Sequence, residues 1–449
     1  MVDYFFLYFH QLFTCLLVKN ICSFVIELSD KYPALFLSPL PVIEVISPLL
    51  ERDPYSIRCA VLTAAASVIR FSKSMNENEK NVELISECVE YLKIHTMDVN
   101  AFVRGKSLQL LQNLVKELNL PAEEQLAVLE ITGLRMLDKS SIVRKYAIQL
   151  LTTLVDVNQL ALRLALQNDS KGNLQSKPAL AASLAEFMRF SEIFSDCVKA
   201  KILPLIAELV DSKVISDLSE SVEFLVLSCE YGLSELCEPV LITVLDNLSC
   251  PEVDSNVKND IRDAFYRVYI DGRPANVVVD NLIRLATLLQ TFSSLDGFGE
   301  LLTGLYKSSK YPTGFFTELV RQYTLPASDF IVRRRAGLII SLLAKSKPPH
   351  FAKIIDMLIT TISDASDLII CKFAVDTLNY LLISETRMKL THKLFPALQR
   401  AIVTSFSNQP PEVDWFSFFR TCIVTVYDVC DCPEKMIMEL IQDLYKTVS

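Results

Sequence analysis

Between residues 321 and 353 the chain gathers seven cations, Arg321, Arg333, Arg334, Arg335, Lys345, Lys347 and Lys353, against a single acid, Asp329. That segment carries a net +6 within a chain whose formal net charge is −9. Salt confines the field of exposed charges to about 10 Å, so a local excess can bind phosphates on an acidic protein. The cations are not interleaved with aromatics for base stacking. The contact they suit is therefore to the backbone of double-stranded DNA, without sequence preference, or to an acidic partner segment. On a helix beginning near Val332, the apolar residues Val332, Ala336, Ile339 and Leu343 fall within about 60° of one another at roughly 100° per residue. Arg334 then lies near 200° and Lys345 near 220°, both pointing away from that face. Arg334, Lys345 and Lys347 are the expected contacts. Arg333 and Arg335 sit at the flanks, where one can serve packing, and Lys353 completes the set.

Catalytic chemistry has little to work with. His10, His95, His350 and His392 are the four histidines. None stands at metal-ligand spacing from another His, a Cys or a carboxylate. No serine lies in a nucleophile elbow, and no glycine-rich loop ending in Lys and Ser/Thr is present to cradle ATP. Neither an enzyme nor a cofactor is expected. The 12 cysteines contain no CxxC pair and mostly interrupt apolar runs, as buried thiols of a reducing compartment do.

What must position the cations is a repeat. Asp53, Ile57 and Arg58 open one segment. Asp98, Val103 and Arg104 open a second, and Asp138, Val143 and Arg144 a third. Asp329, Val332 and Arg333 open a fourth. Each has an Asp in a polar turn, a β-branched residue, an Arg, then apolar residues at offsets 0, 4, 7, 8 and 11, one face of an α-helix. Val143, Ala147, Leu150, Leu151 and Leu154 are one such set. The Asp suits a helix start, where it accepts free N–H groups. The Arg can reach the Asp of a neighbouring turn and build a ladder between stacked repeats, the reading favoured over a partner contact because it recurs with the repeat. Sliding the pattern along the chain gives ten starts, at Ile57, Val103, Val143, Leu180, Leu218, Val257, Phe298, Val332, Ile370 and Trp415, separated by 34 to 46 residues. Partner helices are expected over 40–50, 84–92, 126–137 and 354–362.

A period near 40 with two amphipathic helices is the signature of HEAT or armadillo repeats, whose helix pairs bury their faces only by stacking. The expected fold is an all-α HEAT-repeat α-solenoid of about ten helix pairs, continuous over 1–449 without a sharp internal boundary. An exposed loop is expected over 168–178. Hydrophobic residues at 51% and only 10 glycines exclude disorder and a turn-dense β fold. Residues 2–18 are apolar enough to suggest a signal anchor. Asp3, His10 and Gln11 interrupt the run, and no basic residue precedes it, so a buried first helix is expected and no membrane.

The ordered segments resemble a family, condensin complex subunit 1, the HEAT-repeat non-SMC regulatory subunit. The residues that carry the resemblance are Leu49, Tyr55, Arg58 and Val61, then Asp98, Asn100, Arg104 and Leu108, then Ser141, Arg144, Ala147 and Leu151. Near the end Trp415 leads a helix reaching Tyr427, followed by a turn at Cys432, Pro433 and Glu434. Family members are longer at both ends, so the chain reads as a short or incomplete homologue.

The resemblance implies a scaffold that grips the kleisin, touches the SMC ATPase heads, neighbours a second HEAT subunit, and helps hold DNA during mitotic chromosome condensation. It implies a nuclear, chromosomal protein with a cytoplasmic pool outside mitosis. The periodicity alone leaves other HEAT scaffolds open: a karyopherin-type transport receptor, a clathrin-adaptor large chain, or a phosphatase scaffold.

Overall fold

A computed structural model describes residues 2–37, 42–51, 54–72, 82–117, 120, 122–170, 192–193, 195–325, 329–383, 387–408 and 413–448. Among them no strand forms; a lone bridge pairs Met388 with Cys430. The chain divides into two compact units, Met1–Leu241 and Ile242–Ser449.

In unit 1 the stack is built from α1 (Val2–Lys31), α2 (Tyr55–Ser72), α3 (Val82–His95), α4 (Ala101–Lys116), α5 (Ala122–Arg135), α6 (Ser141–Ser170), α7 (Leu203–Val210) and α8 (Ile215–Glu230), beside shorter helical pieces such as Val42–Ile46. Helices α1, α2, α4, α6 and α8 stack in succession as one layer. α3, α5 and α7 each lie against the helix that follows them. The apolar stripe explains the order: Val143, Ala147, Leu150, Leu151 and Leu154 of α6 are all fully buried. A stripe this complete leaves the helix no solvated side within its layer, which is why the neighbours on both sides are needed. α1 packs on α2, and the Ser67 hydroxyl donates to Asp30 at 2.9 Å. Leu16, Leu17, Ile21 and Phe24 of α1 are exposed, so this helix is only partly the buried one expected.

Unit 2 repeats the plan. Its helices are α9 (Ser255–Tyr269), α10 (Ala275–Leu288), α11 (Phe292–Lys307), α12 (Phe315–Tyr323), α13 (Phe330–Ala344), α14 (Ile355–Asp364), α15 (Leu368–Leu382), α16 (Leu394–Asn408), α17 (Val413–Val429) and α18 (Pro433–Val448). α11, α13, α15 and α17 form the stacked layer, backed by α12, α14 and α16. Caps fix several starts. Asn100 accepts from the Phe102 N–H at 2.9 Å, Asp254 from Asn256 at 2.7 Å, and Asp367 from Ile369 and Ile370.

Nine of the ten expected starts fall inside helices. Those at Val103, Val143, Leu218 and Val257 head a buried stripe, whereas Ile57 and Val332 are half-buried and Phe298 lies seven residues into its helix. The tenth, Leu180, lies outside the described residues, as does most of the expected loop 168–178, whose first three residues close α6. The protein is an all-α HEAT-type repeat fold, as the spacing predicts. No described helix is long and apolar enough to cross a membrane.

Candidate functional site

The recurring Asp and Arg meet across repeats. Arg58 Nη2 donates to Asp98 at 3.0 Å. Arg104 Nε and Nη2 donate to the two carboxylate oxygens of Asp138, both at 2.8 Å. Arg144 Nε and Nη2 reach Asp217 at 3.0 and 2.6 Å. In unit 2 Arg334 Nε reaches Asp367 at 2.8 Å. Each Arg of the best-formed rungs also grips its own turn: Arg104 Nη1 donates to the Asp98 and Val99 carbonyls, Arg144 Nη1 to those of Asp138 and Lys139. The acids are used twice as well. Asp98 accepts the Asn100 N–H and Asp138 the Ser140 N–H, so these two brace the turn while the residue two positions on begins the helix. Burial pushes the Asp138 carboxyl up, but the Arg104 guanidinium, the Ser140 N–H and Arg135 outweigh it and hold the carboxyl below its usual value.

The ladder corrects one expectation. The helical angles put Arg334 on the free outer face with Lys345 and leave the ladder to Arg333 or Arg335. It is Arg334 that makes the rung, and its guanidinium also lies 5.2 Å from the Phe330 ring centre. The cause is the helix start. In α4 and α6 the caps are Asn100 and Ser140, four residues before the Arg. In α13 the residue four past the cap position Asp329 is Arg333, which turns back to the Tyr323 carbonyl at 3.3 Å. Val332 is only half-buried, and the core face runs through Ala336, Ile339, Ile340 and Leu343. Asp329, expected to cap, makes no side-chain cap bond.

The remaining cations are divided between the two ends of α13: Arg321 precedes it and Arg335 lies in its first half, whereas Lys345 and Lys347 follow its last turn. Arg335 is half-buried; Lys345, Lys347 and Lys353 are exposed. Lys347 donates to the Ile383 carbonyl at 3.0 Å. Three acids from outside the segment stand against it: Glu318 pairs with Arg321 at 2.6 Å, Asp367 with Arg334, and Asp376 lies beside Lys345. These acids lower the local excess below what the contiguous segment carries, and Lys372, which also faces Asp376, restores part of it. Lys353 lies at a pocket of about 230 Å³ that Phe316, Thr317, Val320, His350, Phe351 and Ile354 also line. There the His350 ring stacks on Phe316, centroids 4.8 Å apart. Sequence reasoning missed this aromatic neighbourhood because its two halves are 34 residues apart in the chain.

Burial pushes the Asp376 carboxyl up to about 6, against the pull of Lys372 and Lys345. A folded carboxyl with a raised pKa holds a proton that the unfolded chain has released, so between about pH 4 and 6 stability falls as pH rises. Above that window the buried charge is a constant cost. Asp376→Asn is expected to raise the stability of unit 2 at pH 7 by about 1–2 kcal/mol and to remove that slope. Urea denaturation at pH 4 and pH 7 measures both; an unchanged pH dependence would refute the assignment. Among the described residues no group of three or more His, Cys, Asp and Glu could hold a metal ion.

Comparison with known proteins adds a second, independent line. The family model for the sister chromatid cohesion protein PDS5 matches residues 54–176. Mouse condensin complex subunit 1 is 31% identical over 160 residues, which are 35% of this chain and 11% of the mouse protein. The Schizosaccharomyces pombe condensin complex subunit 1 is 22% identical over an alignment covering 95% of this chain and 44% of that protein. Arabidopsis thaliana condensin-1 complex subunit CAP-D2 is also 22% identical, with 96% of this chain and 35% of that protein covered. The chain thus spans less than half the length of these curated relatives. Among solved structures, importin beta matches with a TM-score of 0.38 and 14% identity, covering 96% of this chain and 52% of that one. A designed armadillo repeat protein matches with a TM-score of 0.29 and 13% identity over 67% of this chain and 99% of that one. The chain is similar to condensin complex subunit 1 along most of its length.

Proposed function

We propose that the chain is a HEAT-repeat scaffold of condensin, acting by binding and not by catalysis. The observation that carries this reading is the agreement of two things: relatives named as condensin subunit 1 align along 95% of the chain, and the repeat array they imply is present with its ladder formed. In this reading the scaffold contacts the kleisin subunit, the SMC ATPase heads and the second HEAT subunit, and works in the nucleus on chromosomes. Co-expression with the condensin kleisin from the same cells, followed by size-exclusion chromatography, tests it. Co-elution at equimolar ratio is expected. Separate elution of two folded proteins would overturn the reading.

Binding of DNA belongs to the same proposal and rests on the exposed lysines. Lys345, Lys347 and Lys353, with Arg335 at their flank, would meet phosphates without reading bases. Arg333 and Arg334 are left to the packing roles described above. Lys345→Glu, Lys347→Glu and Lys353→Glu together should weaken binding to any double-stranded DNA at 50 mM salt by at least about tenfold, and lower the salt slope by about 0.9 for each phosphate no longer neutralised. Helicity should scarcely move, while the melting temperature should fall slightly, because Lys347 loses its bond to the Ile383 carbonyl and Lys345 its attraction to the buried Asp376. Unchanged DNA affinity in a folded variant would remove this segment from any DNA role.

A further inference from the structure

We propose that the turn edge of unit 1 docks an extended protein segment with an apolar side chain at about every third residue and acidic residues between. This inference does not depend on the condensin reading. It starts from a second periodicity, one that the ladder does not use. Tyr55, Phe102, Ile142 and Ile215 occupy the first or second position of four successive stacked helices, α2, α4, α6 and α8, and all four are exposed. Behind them Met97 and Leu137 hold equivalent places in consecutive turns, with Val99 in the turn of Met97, and all three are exposed. Solvated turns favour polar residues and glycine, and contiguous apolar surface on a folded protein marks a place where something binds.

The row is continuous at its start, where the Tyr55 and Phe102 rings stack with centroids 5.5 Å apart. Rungs from Arg58 and Arg104 bind the next turn, and the rung from Arg144 binds Asp217 in the first turn of α8. Packed helices lie about 8–10 Å apart, so the row offers one apolar side chain at about that interval. Three residues of a polyproline-type chain cover about 9 Å and bring every third side chain back to the same side, which matches it.

Charge selects the residues between. The carboxylates of Asp98, Asp138 and Asp217 are engaged by the ladder, whereas Lys139, next to Asp138, and Lys213, two residues before α8, are exposed, as is Asp211. An occupant with Asp or Glu between its apolar residues fits that balance.

Selection of a phage-displayed library of random 15-residue peptides on the full chain tests the proposal, followed by anisotropy measurements with the consensus peptide. The expected consensus repeats an apolar residue every third position with acids between. Its affinity should fall at least tenfold for Val99→Glu combined with Leu137→Glu, positions that are 94% and 63% exposed, and about threefold for Lys139→Glu. The milder pair Val99→Ser and Leu137→Ser should show a smaller loss in the same direction, and serves if the Glu pair fails to fold. No enrichment, enrichment that the variants leave unchanged, or a consensus with helical spacing would each overturn it. So would a dimer of the chain, seen by sedimentation, that the Glu pair abolishes, since the occupant would then be a second copy.

Discussion

Arg144→Met should cost unit 1 about 3–5 kcal/mol, the price of leaving a buried carboxylate without its cation. Asp217 is fully buried, and Arg144 supplies two of the bonds to its Oδ2 atom; the third comes from the Ser212 hydroxyl at 3.0 Å. Its Oδ1 has no hydrogen-bond partner among the described residues, so nothing replaces the missing guanidinium. Methionine keeps most of the aliphatic volume, so what is lost is the charge and the two bonds from Nη1 to the Asp138 and Lys139 carbonyls. Removing both partners, as Arg144→Met with Asp217→Leu, should recover most of the loss, because two apolar groups can replace a buried pair at little cost. Hydrogen exchange should show the weakening centred on α6 and α8, since each repeat touches only its neighbours. A cost under about 1 kcal/mol for the single variant would mean that the rung behaves as a surface ion pair.

Gly297→Ala should be about as damaging in unit 2, although alanine is usually the better helix former by about 1 kcal/mol. Gly297 lies in α11, against the backbone of Leu245. A Cβ there would overlap the Leu245 carbonyl oxygen and come within 2.6 Å of its carbonyl carbon. A side chain could swing aside, but a carbonyl moves only with its chain, so the two segments must separate. Overpacking ordinarily costs about 1–3 kcal/mol, and a loss at or beyond the upper end is expected. Gly299→Ala, two residues on, is the control. Its Cβ would meet only Leu342 Cδ2 at 3.3 Å, the end of a flexible side chain, and stability should change by less than about 1 kcal/mol. Equal effects of the two substitutions would show that helix propensity, and not the close approach, governs both.

The helices were legible because burial of a stripe is a local pattern. Offsets 0, 4, 7, 8 and 11 from Val143 name five residues that are all fully buried, and any helix long enough to stack must show such a set. The ladder was legible in kind for the same reason: Asp138 and Arg144 recur with the repeat. Its fourth rung was not. Whether Arg333 or Arg334 points at the next turn depends on a one-residue difference in where the helix begins, about 100° of rotation, which composition does not encode. The basic segment was overstated because Glu318, Asp367 and Asp376 neutralise it from outside, and a count along the chain sees only neighbours in sequence. The row of Tyr55, Phe102 and Ile142 was readable in principle. Each stands just ahead of the apolar stripe, at a place the offsets assign to no core.

The rungs of unit 1 join turns at very unequal distances along the chain: 40 residues from Arg58 to Asp98, 34 from Arg104 to Asp138, and 73 from Arg144 to Asp217. A brace of this kind is indifferent to contour length. It ties the edge made by the helix starts from one repeat to the next, while Arg70 to Glu117 and Tyr231 to Asp156 tie the far ends of helices in the same layer. Braced along both edges, the layer resists hinging between repeats in either direction, so a partner lying along it meets a surface whose spacing is set before it arrives.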